Sequence, residues 1–276
     1  MNNYLLNQTT YPITYRKNDV QEIIKHLVSF QPVTLIGLPR VGIARILRFI
    51  LVHPKLLQEK LKSNKILLIE IDINDLFELK EKNFWQLVLK RITDNTKDKV
   101  IDDLYFSSAK TNDAFTYFDN TKIAVNQLCK SGYSVFLLFN RFDRAMSLFT
   151  YLFFNHLQSL KDTAKTKINF LFTSNRPLEY LSPDVFKGGN LEVFSQKYFL
   201  KPAAFNDLLP IIDEFERSRK INLDNKIKDI VYQYSGGHAQ YALLILQARE
   251  KRQFDQKIID IVLKNDLPIF QQGKEL

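Results

Sequence analysis

Gly37 and Gly42 stand five positions apart in the stretch Gly37-Leu38-Pro39-Arg40-Val41-Gly42-Ile43-Ala44. A loop that cradles phosphate has this glycine spacing, followed by Lys and then Ser or Thr, between a strand and a helix. The glycines permit a tight turn whose backbone N–H groups face the phosphates. The N-terminus of the following helix adds positive potential. Here Ile43 stands at the Lys position and Ala44 at the Ser/Thr position. The loop shape is kept while its two chemically active side chains are absent. Two glycines at this spacing also arise by chance, so the elements around them carry the argument.

The apolar run Val33–Ile36 leads into the loop, and Ile66–Ile71, Ser134–Phe139 and Ile168–Phe172 are three further runs. Each is continuous rather than alternating, as expected of strands buried on both faces of a sheet. Segments of helical period lie between them at Val41–Val52, Phe84–Ile92 and Phe149–Leu160. This β-α rhythm predicts a parallel sheet covered by helices. It stops near Leu200. Helices are then expected at Ala203–Glu216, Leu223–Tyr234, His238–Arg249 and Phe254–Leu263, with Gly236 and Gly237 at a helix end. The expected organisation is an α/β domain over residues 1–200 and a helical domain over 201–276.

In this setting the chain resembles P-loop ATPases of the AAA+ superfamily, closest to the STAND and archaeal-type branch related to origin-recognition proteins. Tyr15-Arg16-Lys17-Asn18-Asp19 resembles the "GR-acidic" entry to the first helix of that family. Ser134 to Asp143 aligns with the Walker B strand, with Asn140 and Arg141 at the Asp-Glu positions and Asp143 retained. Ile168 to Asn175 resembles the sensor-1 strand with its polar tip. Phe199-Leu200-Lys201-Pro202 looks like the strand leading into the lid. Tyr234-Ser-Gly-Gly-His-Ala239 is similar to the "(S/T)GGHP" lid signature. The likeness spans roughly residues 12 to 250. It implies a three-layer α/β/α P-loop NTPase fold followed by a small helical lid.

Within that family the loop Lys neutralises the terminal phosphates, the Ser/Thr and the Walker B Asp hold magnesium, and the Glu orients the attacking water. Ile43, Ala44, Asn140 and Arg141 replace all four. Loss of one preorganised charge stabiliser commonly costs about 100- to 1,000-fold in rate. The expectation is therefore a pseudo-ATPase with no catalytic residue, no metal ligand and no cofactor, serving as a structural or regulatory partner in a protein assembly. Any nucleotide, ATP or ADP without magnesium, would meet Gly37, Pro39, Arg40, Gly42, Ile43, Ala44, Asn140, Arg141, Asp143, Asn175 and His238. In that arrangement Arg141 takes the place of the metal charge; otherwise it solvates the sheet edge or pairs with Asp143. A capping or packing role is expected of His238. An active ATPase with unusual site residues is the opposing reading.

The formal charge is +9, from 39 Lys and Arg against 30 Asp and Glu. In a family that often handles DNA, Arg45, Arg48, Lys62 and Lys65 are candidate phosphate contacts for an initiator-like or plasmid- or defence-associated subunit. Aromatic residues are not interleaved among them as single-strand stacking requires. A solvated basic exterior explains the same charges. Few residues follow the Gly236-Gly237 pair, so a separate DNA-recognition domain is not expected. The family implies a protein partner or a homo-oligomer, with an active AAA+ or STAND relative as one candidate. Cys129 is the single cysteine, which excludes an internal disulfide. With no apolar stretch of membrane-spanning length and no secretory start, a cytoplasmic protein is expected.

Overall fold

The computed structural model describes residues 11–187 and 191–250, with side chains described to residue 248. In chain order the helices are α1 (Lys17–Val28), α2 (Ile43–Val52), α3 (Lys55–Leu61), α4 (Glu81–Asn95), α5 (Lys99–Thr111), α6 (Ala114–Lys130), α7 (Tyr151–Asp162), the single turns α8 (Leu178–Leu181) and α9 (Pro183–Phe186), α10 (Phe205–Arg219), α11 (Asn225–Ser235) and α12 (Ala239–Glu250). The strands are β1 (Val33–Ile36), β2 (Ile66–Asp72), β3 (Ser134–Asn140), β4 (Ile168–Ser174) and β5 (Lys197–Phe199). They form one sheet in the order β2-β3-β4-β1-β5, and the β2–β3, β3–β4 and β1–β4 pairs are parallel.

The chain divides into two compact units. Of the described residues, the first takes in Gln21–Ile36 and Leu47–Tyr198, the second residues 11–20, Gly37–Ile46 and residues 199–250. In the first unit every residue of β1 and β4 is buried, and only Ser134 of β3 is partly exposed. Burial on both faces explains why these strands read as unbroken apolar runs. One core cluster fills this unit, with Trp85 and a series of phenylalanines at its centre. Phe139 stacks on Phe172 at 5.2 Å between ring centroids, and Phe84 meets Phe153 edge-on at 4.9 Å. Edge-to-face and offset rings add to the burial free energy. Tyr151 is exposed, whereas Phe154 is wholly buried.

Helix starts follow capping chemistry. Asp98, Asp113, Thr150 and Asp224 each accept a backbone N–H of the first turn with a side-chain oxygen. Gly236, at φ 56°, closes α11 in the left-handed conformation. The helix expected at Phe254–Leu263 lies outside the described residues. No described helix is long and apolar enough to cross a membrane.

Candidate functional site

At the carboxyl end of the sheet, in the first unit, β2 and β3 run in register so that Asp72 lies opposite Asn140 and Glu70 opposite Leu138. Alternation along a strand puts Glu70 and Asp72 on one face. Asn140 is buried, and its Nδ2 donates to Glu70 Oε1 at 3.0 Å and to Asp72 Oδ2 at 3.5 Å. Its Oδ1 accepts from Thr173 Oγ1 at 3.1 Å, and Thr173 Oγ1 accepts the Arg141 backbone N–H at 2.8 Å. Arg141 leaves the strand in the left-handed region at φ 57°. Its Nε donates to Asp72 Oδ1 at 3.0 Å and its Nη2 donates to Asp72 Oδ2. This is a bidentate fork, the strongest geometry for a guanidinium and a carboxylate.

The partner of Arg141 is therefore Asp72 and not Asp143. Asp143 instead accepts the Asn175 backbone N–H at 3.4 Å, and burial raises the pKa of its carboxyl. That contact places the two residues together, with the Asn175 side chain exposed. Glu70 also has a raised pKa. Burial is the main cause and the Asp72 charge adds to it, while the Asn140 hydrogen bond, Arg48 and Arg141 act the other way. Ionised Glu70 thus costs the folded state free energy that protonated Glu70 does not. The cost is absent below the unfolded carboxyl pKa and appears as pH rises through the higher folded value. Glu70→Gln keeps an oxygen that can accept from Asn140 and removes the charge. It is expected to raise the melting temperature at pH 7 by a few degrees and to leave it unchanged near pH 3. A melting series across that range checks this.

The glycine loop belongs to the second unit. Arg40 adopts φ 64° and Gly42 φ 119°, a bend no run of ordinary residues would make cheaply. Val41 N donates to Leu38 O, and Gly42 O accepts the N–H groups of Arg45 and Ile46 to start α2. The Ile43 side chain folds back over Gly37. A Cβ built on Gly37 would lie 3.2 Å from Ile43 Cδ1, 2.9 Å from Val41 Cγ1 and 3.3 Å from Leu200 Cβ. Where a phosphate loop carries an ammonium, this one carries packed methyl groups. Ala44 and Arg40 are exposed. His238 is buried and reaches the loop with Nε2 3.1 Å from Pro39 O. Its Nδ1 accepts the Tyr241 N–H at 3.4 Å.

Of the four candidate DNA contacts, Arg45 lies in the second unit and donates from Nε to Tyr11 Oη at 3.1 Å. Arg48 acts on Glu70, near the carboxyl end of β2. Lys65 precedes the same strand at its other end and donates to Ser131 O at 2.8 Å. Five residues of strand separate Lys65 from Glu70, about 16 Å. Lys62 is exposed at the left-handed end of α3.

Sequence reasoning missed the pairing of Arg141 with Asp72, and it missed Glu70. The signal was Glu70-Ile71-Asp72, two acids two apart at the end of an apolar run. Nothing local shows that the matching cation lies 69 residues away. Tyr11, the partner of Arg45, carried no signal. Among the described residues no group of three or more His, Cys, Asp or Glu is arranged to hold a metal ion.

No protein-family model and no curated protein matches the sequence. Solved structures do match the fold. The Orc2 protein of Aeropyrum pernix in its ADP form superposes with a TM-score of 0.59 at 12% identity, over 95% of this chain and 72% of that one. The Orc1 protein of Aeropyrum pernix in complex with DNA gives 0.57 at 12%, over 95% and 68%. A Walker-type ATPase of Pyrococcus abyssi gives 0.57 at 13%, over 95% and 75%. With the five-stranded sheet, these likenesses define an α/β/α P-loop NTPase fold.

Proposed function

We propose that this chain is a pseudo-ATPase, an AAA+-type P-loop fold used as a structural or regulatory partner in a protein assembly, with residues 201–276 as its lid. One observation carries the reading: the Arg141 guanidinium is forked onto Asp72, at the place where the family resemblance puts a water-orienting Glu. A guanidinium donates hydrogen bonds only and cannot take a proton from water. Asn140, at the position of the metal-binding Asp, is a neutral amide already committed to Glu70 and Thr173. Ile43 contributes packing where a lysine would contribute charge. These three features remove phosphate neutralisation, metal binding and water activation together. The fold needs none of them.

Phosphate release from ATP with magnesium tests the proposal. Pure protein is expected to give no turnover above a protein-free blank; saturable release that scales with protein concentration would show an active ATPase. Titration calorimetry with ATP and ADP, with and without magnesium, reports on nucleotide retention. Binding through the loop backbone and Arg40 should be indifferent to the metal.

DNA is the second reading, favoured by the formal charge of +9 and by the matching Aeropyrum pernix Orc1 protein having been solved in complex with DNA. A gel shift at low salt that weakens steeply with added salt supports it.

A further inference from the structure

The glycine loop and the lid helices belong to the same compact unit, and protein groups join them at several points. His238 follows the Gly236-Gly237 pair and opens α12. The Tyr241 N–H donates to its Nδ1, so that nitrogen carries a lone pair. In the neutral ring the proton then sits on Nε2, which donates to Pro39 O. The Pro39–Arg40 peptide is trans, and in a trans unit the C=O and N–H point in opposite directions. Holding the Pro39 carbonyl towards the lid therefore turns the Arg40 N–H away from it. One hydrogen bond fixes the orientation of a peptide unit in the middle of the loop.

A second tie lies on the helix side of the loop. Arg45 Nε donates to Tyr11 Oη, and Tyr11 donates to Glu214 Oε2 of α10 at 2.9 Å. Burial pushes the Tyr11 phenol pKa up to about 12, with Arg45 pulling against it and Glu214 adding to it. The phenol stays protonated and keeps both bonds at any ordinary pH. Two further ties anchor the lid and the Tyr11 segment. Ala203 N donates to Gly237 O at 2.9 Å. Buried Arg16 binds Asp207 Oδ1 through its backbone N–H at 2.6 Å, Lys201 O through Nη2 and Asp19 through Nε.

We infer that His238 and Tyr11 are positioning residues that latch the glycine loop to the lid, so that the chain's own side chains, not a bound nucleotide, fix the loop's conformation. This deepens the pseudo-ATPase reading, and rests on it in treating the segment as a former phosphate loop. A loop held this way presents one constant surface to an assembly partner, without a cycle of binding and release.

Amide hydrogen exchange read by mass spectrometry on the full chain tests the latch. In wild-type protein without nucleotide, the peptide covering 38–46 is expected to exchange slowly. His238→Ala should speed it about tenfold, the weight of one lost hydrogen bond, with no change in the peptide covering 168–174. His238→Gln, whose side-chain amide can donate to the same carbonyl, should restore slow exchange. Tyr11→Phe should speed the 38–46 peptide independently, and decides the matter if His238→Ala does not fold. Unchanged exchange in both His238→Ala and Tyr11→Phe overturns the inference. So does a His238→Gln protein that behaves like His238→Ala. Phosphate release from the same samples reports separately on hydrolysis, so failure of the latch and failure of the pseudo-ATPase reading are told apart.

Discussion

Gly237→Ala is expected to destabilise the second unit by at least about 3 kcal/mol, while Gly236→Ala costs only about 1–2 kcal/mol. The two glycines are neighbours, and both have positive φ, 56° at Gly236 and 79° at Gly237. Left-handed strain alone would make the substitutions similar. Their surroundings differ. A Cβ on Gly236 meets nothing within 4 Å, whereas one on Gly237 would lie 2.0 Å from Ala203 O and about 3 Å from two more backbone atoms of the same residue. Those atoms cannot rotate away as a side-chain tip can. The segment before α10 would have to move, and the bond from Ala203 N to Gly237 O would go with it. The bond from Gly237 N to Ser235 Oγ and the adjoining His238 contact would be strained as well. Urea unfolding of the two variants beside wild type reads the difference directly. Equal losses would mean that conformational strain, and not close backbone approach, is what requires glycine at 237.

The same contrast shows what a sequence can convey. The paired glycines announced a helix end, but which of them is sterically irreplaceable depends on Ala203, which is remote in the chain. The strands were legible because burial on both faces leaves a continuous apolar run. β1 has the expected bounds, and β2, β3 and β4 begin where expected and extend one or two residues further. The helix expected from Val41 starts at Ile43, because Gly42 at φ 119° is still in the turn. The region from 99 to 130 was not legible. It holds α5 and α6, whose shared face includes polar groups. Buried Asn120 donates to Leu104 O and to the hydroxyls of Ser107 and Ser108, and buried Thr121 donates to Tyr117 O. Satisfied amides and hydroxyls on the inner side of a helix interrupt the apolar periodicity that would reveal it. The strand order β2-β3-β4-β1-β5 was likewise beyond a reading of local pattern, since it depends on crossovers. In the candidate site Asn140 and Arg141 were visible one by one. Their partners on β2 were not, because a parallel pair is joined through a crossover and local spacing carries no record of its register.

That register bears on any attempt to build a hydrolytic site here. Arg141→Glu is expected to lower stability by about 2–3 kcal/mol at pH 7. It removes the fork onto Asp72 and sets a third carboxylate beside Asp72 and Glu70, whose pKa is already raised. Like charges about 4 Å apart repel by about 4 kcal/mol at an effective dielectric of 20. The Arg141 side chain is 37% exposed and that of Asp72 18%, so solvent relaxes part of this. Arg141→Gln loses the fork without adding charge and should cost about half as much. The two variants should converge as pH falls, because the crowded carboxylates take up protons in acid and the repulsion disappears. Chemical denaturation of both at pH 7 and near pH 4 checks the sign. A penalty for Arg141→Glu that persists in acid would mean that packing, not charge, is lost. Reversal in the double variant Asp72→Lys, Arg141→Glu should recover most of the stability. Introducing the residue types of a hydrolysing P-loop ATPase by Ile43→Lys, Ala44→Thr, Asn140→Asp and Arg141→Glu places four carboxylates at the carboxyl ends of two adjacent strands. That protein is expected to lose stability before it gains turnover. The same four changes made together with Glu70→Gln and Asp72→Asn leave two carboxylates free for magnesium and water, so this six-fold variant is the one in which ATP hydrolysis should first be seen.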